Sequence, residues 1–294
     1  MIQAKQNNMT NLLEFSKMHG LGNDFMVVDG TGGNLLLTPE EIRFWSNRQF
    51  GIGFDQLLLV ENPVKDAAPE VDFRYRIFNA DGSEVQQCGN GARCFARFVV
   101  DKGLTRKNEI CVETASGIIT LFLTKQGWVR VDMGAPIFAP QALPFDVPVE
   151  ADQYELDVAG ERYQIGAVSM GNPHAVMQVT DLSTAPVAQL GQQIESHSVF
   201  PERVNVGFAE VINRTHIQLR VYERGAAETL ACGTGACAAM AVFRRLGEVD
   251  DAVTVTLPGG DLFIEWNGKP TSPVWMTGPA VHVFDGVIKR GVPA

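Results

Sequence analysis

Two cysteines in this 294-residue chain share one unusual setting. Gln87-Cys88-Gly89-Asn90-Gly91-Ala92-Arg93 and Ala231-Cys232-Gly233-Thr234-Gly235-Ala236-Cys237 each place a cysteine and two glycines at a strand-to-helix turn. The two cysteines are 144 residues apart (232 − 88 = 144), about half the chain. A cysteine ahead of the first helical turn feels unpaired N–H groups and the positive end of the macrodipole, and both favour thiolate. Free cysteine titrates near about 8.5. A dipole contribution of about 0.3–1 kcal/mol is less than one pKa unit at about 1.36 kcal/mol per unit. The thiol is therefore expected close to physiological pH, where a proton-transfer catalyst works best. The glycines at 89, 91, 233 and 235 are expected to let bare backbone approach an anion. Such a pair of turns suits one reaction type. A thiolate removes a Cα proton from one face and a thiol returns one to the other with inversion, while preorganised N–H groups hold the charge developing on the carboxylate. One sulfur must be ionised and the other protonated, so their titrations are coupled.

Further polar residues gather around these turns in the sequence. His174 lies on the turn Gly171-Asn172-Pro173-His174, and Glu223 ends the strand before the second cysteine turn; both are expected to tune cysteine ionisation. Glu223-Arg224 offers charges for an ammonium and a carboxylate, the latter matched by the arginine fork. Asn23 and Asn172 sit on Gly-Asn turns 149 residues apart, and Gln56 and Asn205 stand at strand mouths with the same offset. One Gly-Asn turn is more often turn chemistry than a site; two in register point to binding. With Asn79, this is more than a simple monoamino acid requires, and a substrate with a second charged end is expected.

The elements that must position these residues are themselves repeated. Arg74-Tyr75-Arg76-Ile77-Phe78-Asn79 aligns with Gln218-Leu219-Arg220-Val221-Tyr222-Glu223 at the 144 offset. Ala92, Phe95, Ala96 and Val99 form an i, i+3, i+4, i+7 stripe matched by Ala236, Ala239, Met240 and Phe243, the buried face of a helix in each half. Gly103 and Gly247 stand where a helix C′ glycine belongs. Thr38 and Pro39 open a helix as N-cap and N1, expected to reach about Gln49; a second helical pattern covers 182–196. A strand over 281–284, left over after the second repeat, is expected to return to the first domain. The predicted organisation is a disordered extension at 1–14, one domain of 15–132 plus 278–294, and another of 133–277.

Hydrophobic content of 45% and charged content of 20% are those of a globular protein. A net charge of −10 argues against nucleic-acid or anionic-membrane partners, and no apolar run is long enough to span a bilayer. The first residues lack the pattern of a signal peptide, which points to the cytoplasm and reduced thiols; Met9 offers an alternative start. The five cysteines show no zinc spacing, so no metal is expected; Cys94, Cys111 and Cys237 read as structural.

The motifs Lys17-Met18-His19-Gly20-Leu21-Gly22-Asn23-Asp24-Phe25, Phe78-Asn79-Ala80-Asp81-Gly82-Ser83, Cys88-Gly89-Asn90-Gly91-Ala92-Arg93-Cys94, Gly171-Asn172-Pro173-His174, Tyr222-Glu223-Arg224-Gly225 and Ala231-Cys232-Gly233-Thr234-Gly235 resemble those of the diaminopimelate epimerase family. The resemblance runs in order from about Phe15 to the C-terminus. It implies an α/β (α+β) fold of two pseudo-symmetric domains, each a curled mixed β-sheet around a central helix. It implies a small-molecule substrate, interconversion of LL- and meso-2,6-diaminopimelate in lysine and peptidoglycan precursor synthesis, no pyridoxal phosphate or other cofactor, and a homodimer. Cys88 and Cys232 match the family's proton donor and acceptor, exchanging roles with direction. Asn23, Gln56, Asn79, Gly89, Asn90, Asn172, Asn205, Glu223, Arg224, Gly233 and Thr234 match its substrate contacts, and His174 and Glu223 its modulators of cysteine ionisation. The family's C-terminal strand often carries a tyrosine near the dimer contact, where Phe284 stands here. Two other readings are a proline or hydroxyproline racemase on the same fold, disfavoured by Glu223-Arg224 and the asparagines, and a redox-sensing or amino-acid-binding protein whose two cysteines form a disulfide.

Overall fold

A computed structural model describes residues 12–33, 35–64, 70–85, 89–115 and 117–291. The first half runs β1 (Leu12–Gly20), β2 (Asn23–Asp29), α1 (Pro39–Ser46), β3 (Gln56–Glu61), β4 (Phe73–Asn79), β5 (Glu84–Val85), α2 (Gly89–Asp101), β6 (Glu109–Thr114), β7 (Gly117–Leu123) and β8 (Val129–Asp132). The second runs β9 (Tyr154–Val158), β10 (Glu161–Ser169), β11 (Pro173–Gln178), α3 (Val187–Glu195), β12 (Asn205–Asn213), β13 (His216–Glu223), β14 (Ala227–Thr229), α4 (Gly233–Arg245), β15 (Ala252–Leu257), β16 (Gly260–Glu265) and β17 (Trp275–Gly278). β18 (Val281–Lys289) follows. The chain forms two compact units, residues 1–131 with 279–294, and residues 132–278.

The two units have one topology. In the first, the strand order is β18-β1-β2-β3-β4-β6-β7-β8, with β2–β3 and β4–β6 parallel and the other neighbours antiparallel. In the second it is β9-β10-β11-β12-β13-β15-β16-β17, with β11–β12 and β13–β15 parallel. α2 contacts β1, β2 and β3 and also β7, so the first sheet curls around it; α4 contacts β10 through β13 and β15 through β17 in the same manner. The stripe Ala92, Phe95, Ala96 and Val99 is fully buried, as are Ala236, Ala239 and Met240. The other sheet face carries the short helix. Ile42 and Trp45 of α1 pack with Met26, Val28, Leu57 and Leu59, and Val187, Leu190 and Ile194 of α3 with Ala175, Met177, Val206 and Phe208. Alternate strand residues thus feed two apolar layers. Both central helices end in the same backbone motif. Gly103 (φ +69°) and Gly247 (φ +77°) donate to Val100 and Arg244, while Leu104 and Glu248 donate to Val99 and Phe243, the paired bonds of a Schellman cap.

Several element limits differ from those read in the sequence. β1 already includes Leu12, Leu13 and Glu14, which pair with Lys289, Ile288 and Val287, so these three are strand rather than part of the disordered extension expected at 1–14, whose residues 1–11 lie outside the described residues. α1 has the expected Thr38 capping box but stops at Ser46 rather than near Gln49. The Asn47 side chain accepts from the N–H groups of Gln49 and Phe50 and offers the backbone a turn instead. α3 starts at Val187 rather than 182. The residue before Pro186 is disfavoured in helix, and Asp181 ties down Ser183 in a local turn. β9 carried no expectation at all. It occupies in the second sheet the place β18 occupies in the first, so the tail strand has a counterpart after all. Among the described residues no helix is long and apolar enough to cross a membrane.

Candidate active site

Cys232 is the N-cap of α4, with extended backbone and only 4% exposure. The β13–β14 hairpin delivers it there. Arg220 grips Glu228 with two hydrogen bonds of 2.7 and 3.0 Å across that hairpin, and the helix begins at Gly233, four residues after Thr229 (233 − 229 = 4). Glu223, at the end of β13, accepts a 2.5 Å hydrogen bond from the Thr229 hydroxyl. Burial pushes the Glu223 carboxyl above its ordinary value, opposed by hydrogen bonds from Thr229 and Cys232. Burial, then the Glu223 charge, push the Cys232 thiol well above the ordinary cysteine value, against the Thr234 hydroxyl and the Gly235 N–H. The expectation of a thiol near physiological pH is thereby corrected for Cys232. A helix-dipole effect of about 0.3–1 kcal/mol is smaller than the cost of ionising a fully buried group, which reaches several pKa units.

A line of polar contacts leads away from the thiol. Thr234 Oγ1 lies 3.6 Å from Cys232 Sγ and accepts from Asn172 Nδ2 at 3.4 Å. Asn172 Oδ1 is 3.0 Å from His174 Nε2. Because the Asn172 amide nitrogen is directed at Thr234, its oxygen is the acceptor, which assigns the proton to Nε2 of the imidazole. His174 has no exposed surface, and its Nδ1 has no hydrogen-bond partner among the described residues. Burial and the nearby Arg224 charge lower its pKa to about 3, so the ring is neutral.

Asn205 is placed differently from the other predicted contacts. It is 3% exposed, donates to Pro173 O at 2.9 Å and accepts from Arg224 N–H at 3.0 Å. Its amide braces the strand ends that carry His174 and Glu223. The Arg224 guanidinium is exposed and donates to Glu202 O. Gly233 is the first residue of α4, and Gly89 that of α2.

Cys88 lies outside the described residues, but its neighbours form two groups. In one, Asn90 donates to Asn23 Oδ1 at 3.2 Å and accepts from Arg93 Nη2 at 2.9 Å, and Asn23 donates to Asp55 Oδ2 at 2.9 Å. Arg48 bridges Asp55 and Asp24. Burial would raise the Asp24 pKa, yet hydrogen bonds from Arg48 and Lys17 outweigh it and hold the carboxyl at about 2. The turn presenting Asn23 has Leu21 and Gly22 at φ +57° and +90° between paired Gly20 and Asn23, a tight hairpin that requires left-handed backbone. In the other group, Gln56 faces Asn79 across the β3–β4 ladder and donates to its Oδ1 at 3.0 Å. Arg93 is fully buried and also donates to the carbonyls of Gly89 and Pro279.

Gly91 and Gly235 also have a packing role. A Cβ on Gly91 would stand 2.5 Å from the Tyr75 hydroxyl; one on Gly235 would meet Val221 at 3.0 Å and Cys232 Sγ at 3.2 Å. Helix and sheet approach too closely there for a side chain. Sequence reasoning missed Thr229, Asp55, Arg48 and Arg93 as partners of the predicted residues. For Thr229 a signal was present: at the 144 offset it faces Val85, a polar-for-apolar exchange inside a repeat.

A family model described as Diaminopimelate epimerase matches residues 15–139 and 166–283. The chain is 61% identical over 277 residues to a protein from Chromobacterium violaceum named diaminopimelate epimerase, covering 94% of this chain and 99% of that one. It is 57% identical over 278 residues to one of the same name from Stutzerimonas stutzeri, covering 95% and 99%. Among solved structures, a hydroxyproline epimerase from Agrobacterium vitis superimposes with a TM-score of 0.69 at 16% identity, covering 97% of this chain and 95% of that one. A PhzF-family phenazine biosynthesis protein from Bacillus anthracis gives 0.66 at 18%, covering 94% and 99%. At those identities the likeness is one of fold.

Proposed function

The chain belongs to the diaminopimelate epimerase family, and from that premise we propose that it interconverts LL- and meso-2,6-diaminopimelate without pyridoxal phosphate. The observation that carries the chemistry is the environment of Cys232: a buried thiol at a helix N-cap, kept protonated by burial and by the carboxylate of Glu223. A two-base epimerisation needs one sulfur in that state and the other ionised. On this reading Cys88 supplies the thiolate in the resting enzyme. The Cα–H bond breaks, its proton passes to Cys88, and the electron pair moves into the carboxylate. The Cys232 S–H then gives its proton to the opposite face of Cα. Configuration is inverted, and the two sulfurs have exchanged protonation states, so the next turnover of the same kind runs from the opposite isomer. The backbone N–H groups at the starts of α2 and α4 favour the carboxylate charge as it grows. Asn23, Gln56, Asn79, Gly89, Asn90, Asn172, Asn205, Glu223, Arg224, Gly233 and Thr234 are the proposed substrate contacts. Asn205 also braces the strand ends, and His174 and Glu223 tune cysteine ionisation.

The family resemblance also underlies a cytoplasmic location in lysine and peptidoglycan precursor synthesis, and a homodimer. The dimer is supported by the exposed apolar residues of β18, among them Val283, Phe284 and Val287, and sedimentation velocity is its check. The test of function is proton NMR of LL-diaminopimelate in D2O with the reduced protein and no added cofactor. Loss of the α signal with appearance of the meso isomer is expected. Exchange of proline but not diaminopimelate would reassign the substrate, and no exchange with free thiols would overturn the catalytic reading.

A further inference from the structure

Thr229 has no role in the sequence reading, yet its hydroxyl is hydrogen-bonded to Glu223, and the residue at its place in the first half is Val85. It lies opposite Val221 at the end of β14, and its hydroxyl donates to Glu223 Oε1 at 2.5 Å. The first half holds the same geometry without the same groups. Val85 lies opposite Ile77 in β5, and the position matching Glu223 is Asn79, whose amide turns instead to Gln56 and Ser83. A hydroxyl therefore stands at this site in the half that has a carboxylate, and an isosteric apolar side chain in the half that does not. The twin ion pairs Arg76–Glu84 and Arg220–Glu228 hold both hairpins alike, so the hydroxyl is not needed to form the turn.

We propose that Thr229 is a positioning residue for the Cys232 half of the reaction: its hydroxyl fixes the Glu223 carboxylate in the ionised, oriented form that accepts from the Cys232 thiol. This rests on the epimerase reading, in which Cys232 exchanges a proton with substrate. Glu223 and Cys232 are near enough to titrate as a pair. The other groups facing Cys232 are the Thr234 hydroxyl and the Gly235 N–H; neutral His174 is reached through Asn172, and the Arg224 charge acts on His174. Arg220 on the same hairpin is engaged by Glu228. Removing the one hydroxyl that donates to Oε1 raises the pH at which the Glu223 carboxylate, beside an already protonated Cys232, takes up its proton. A hydrogen bond to a charged group of about 1.5–3 kcal/mol corresponds to about one to two pH units at 1.36 kcal/mol per unit.

The experiment compares Thr229→Val and Thr229→Ser in the full chain, with Thr229→Ala held as a second deletion if the valine variant does not fold. Two readouts are taken. One is the carboxyl 13C titration of Glu223, assigned with Glu223→Gln and needing no substrate. The other is the acid limb of kcat/KM for diaminopimelate. Thr229→Val is expected to raise both midpoints by about one pH unit and to lower kcat about tenfold near neutral pH with little change in KM. Thr229→Ser is expected to restore the wild-type midpoints. Unshifted midpoints in Thr229→Val, or the same shift in Thr229→Ser, would overturn the proposal. Failure of the wild type to epimerise diaminopimelate would sink the functional reading while leaving the 13C result to judge this one.

Discussion

The two halves repeat a backbone and diverge in charge. β4–β5 and β13–β14 have the same register and the same bidentate arginine–glutamate pair, and each hairpin precedes a central helix in the chain. At the ends of these strands, however, Asn79 answers to Glu223, and Val85 to Thr229. One turn into the helices, the buried guanidinium of Arg93 answers to the buried thiol of Cys237. The first half thus places an uncharged amide and a cation beside its helix start; the second places an anion there and no cation at the matching position. The difference teaches that duplication supplied two equivalent frames, and a few side chains then gave the two helix starts different charge.

The sharpest way to break this comparison is to give the second half the residue of the first. Glu223→Asn removes the charge that, after burial, most raises the Cys232 pKa. The Cys232 peptide should then be alkylated by iodoacetamide faster at fixed pH, in a Cys88→Ala background. With Cys88 intact, kcat/KM should fall by about 100-fold or more, the usual scale for a proton-transfer group put in the wrong state. Unchanged alkylation would mean the carboxylate does not set the protonation of that sulfur.

Next in size is a pH effect confined to the second half. His174 takes up its proton at about 3 when folded and near 6.5 when unfolded. Its contribution to stability is complete above about pH 6.5 and is lost as pH falls from there toward about 3. Over that window the unfolded chain binds one proton more, a slope of about 1.4 kcal/mol per pH unit. Urea titrations between pH 7 and 4 should show this slope in the wild type and lose it in His174→Gln; equal slopes would refute the buried neutral imidazole.

The smallest effect compares the glycines. Gly91→Ala presses a methyl against the Tyr75 hydroxyl and should cost about 1–3 kcal/mol. Gly235→Ala, with contacts at 3.0 Å and beyond, should cost less, as read from denaturation midpoints. The reverse order would show that helix and sheet are not closer in the first half.

Much of this frame was legible because a repeat turns weak local signals into paired ones. The stripes of α2 and α4, the C′ glycines and the strand-ending Asn79 and Glu223 were all readable at one offset. β9 was not. Its counterpart is β18, from the other end of the chain, so no constant offset links them. The limits of α1 and α3 were set by side-chain turns at Asn47 and Asp181 that compete with helix. Family membership was legible from the motifs. The ionisation of Cys232 was not, because sequence shows the helix start but not the depth of burial. The position of Asn205 at a strand mouth was legible, but not that its amide also braces Pro173 and Arg224.

β18 has a consequence for how the protein is made. The strand that pairs with β1 and completes the first sheet begins at Val281, well after the rest of that unit ends at residue 131. On a ribosome adding about 5–20 residues per second, the first unit stands with one border of its sheet open for several seconds to half a minute. The second unit has its own edge strand, β9, before β10 is translated and its last, β17, by residue 278. The half synthesised second is thus the first to own every strand of its sheet. The older half waits with β1 open, a border that chaperones or neighbouring nascent chains can reach.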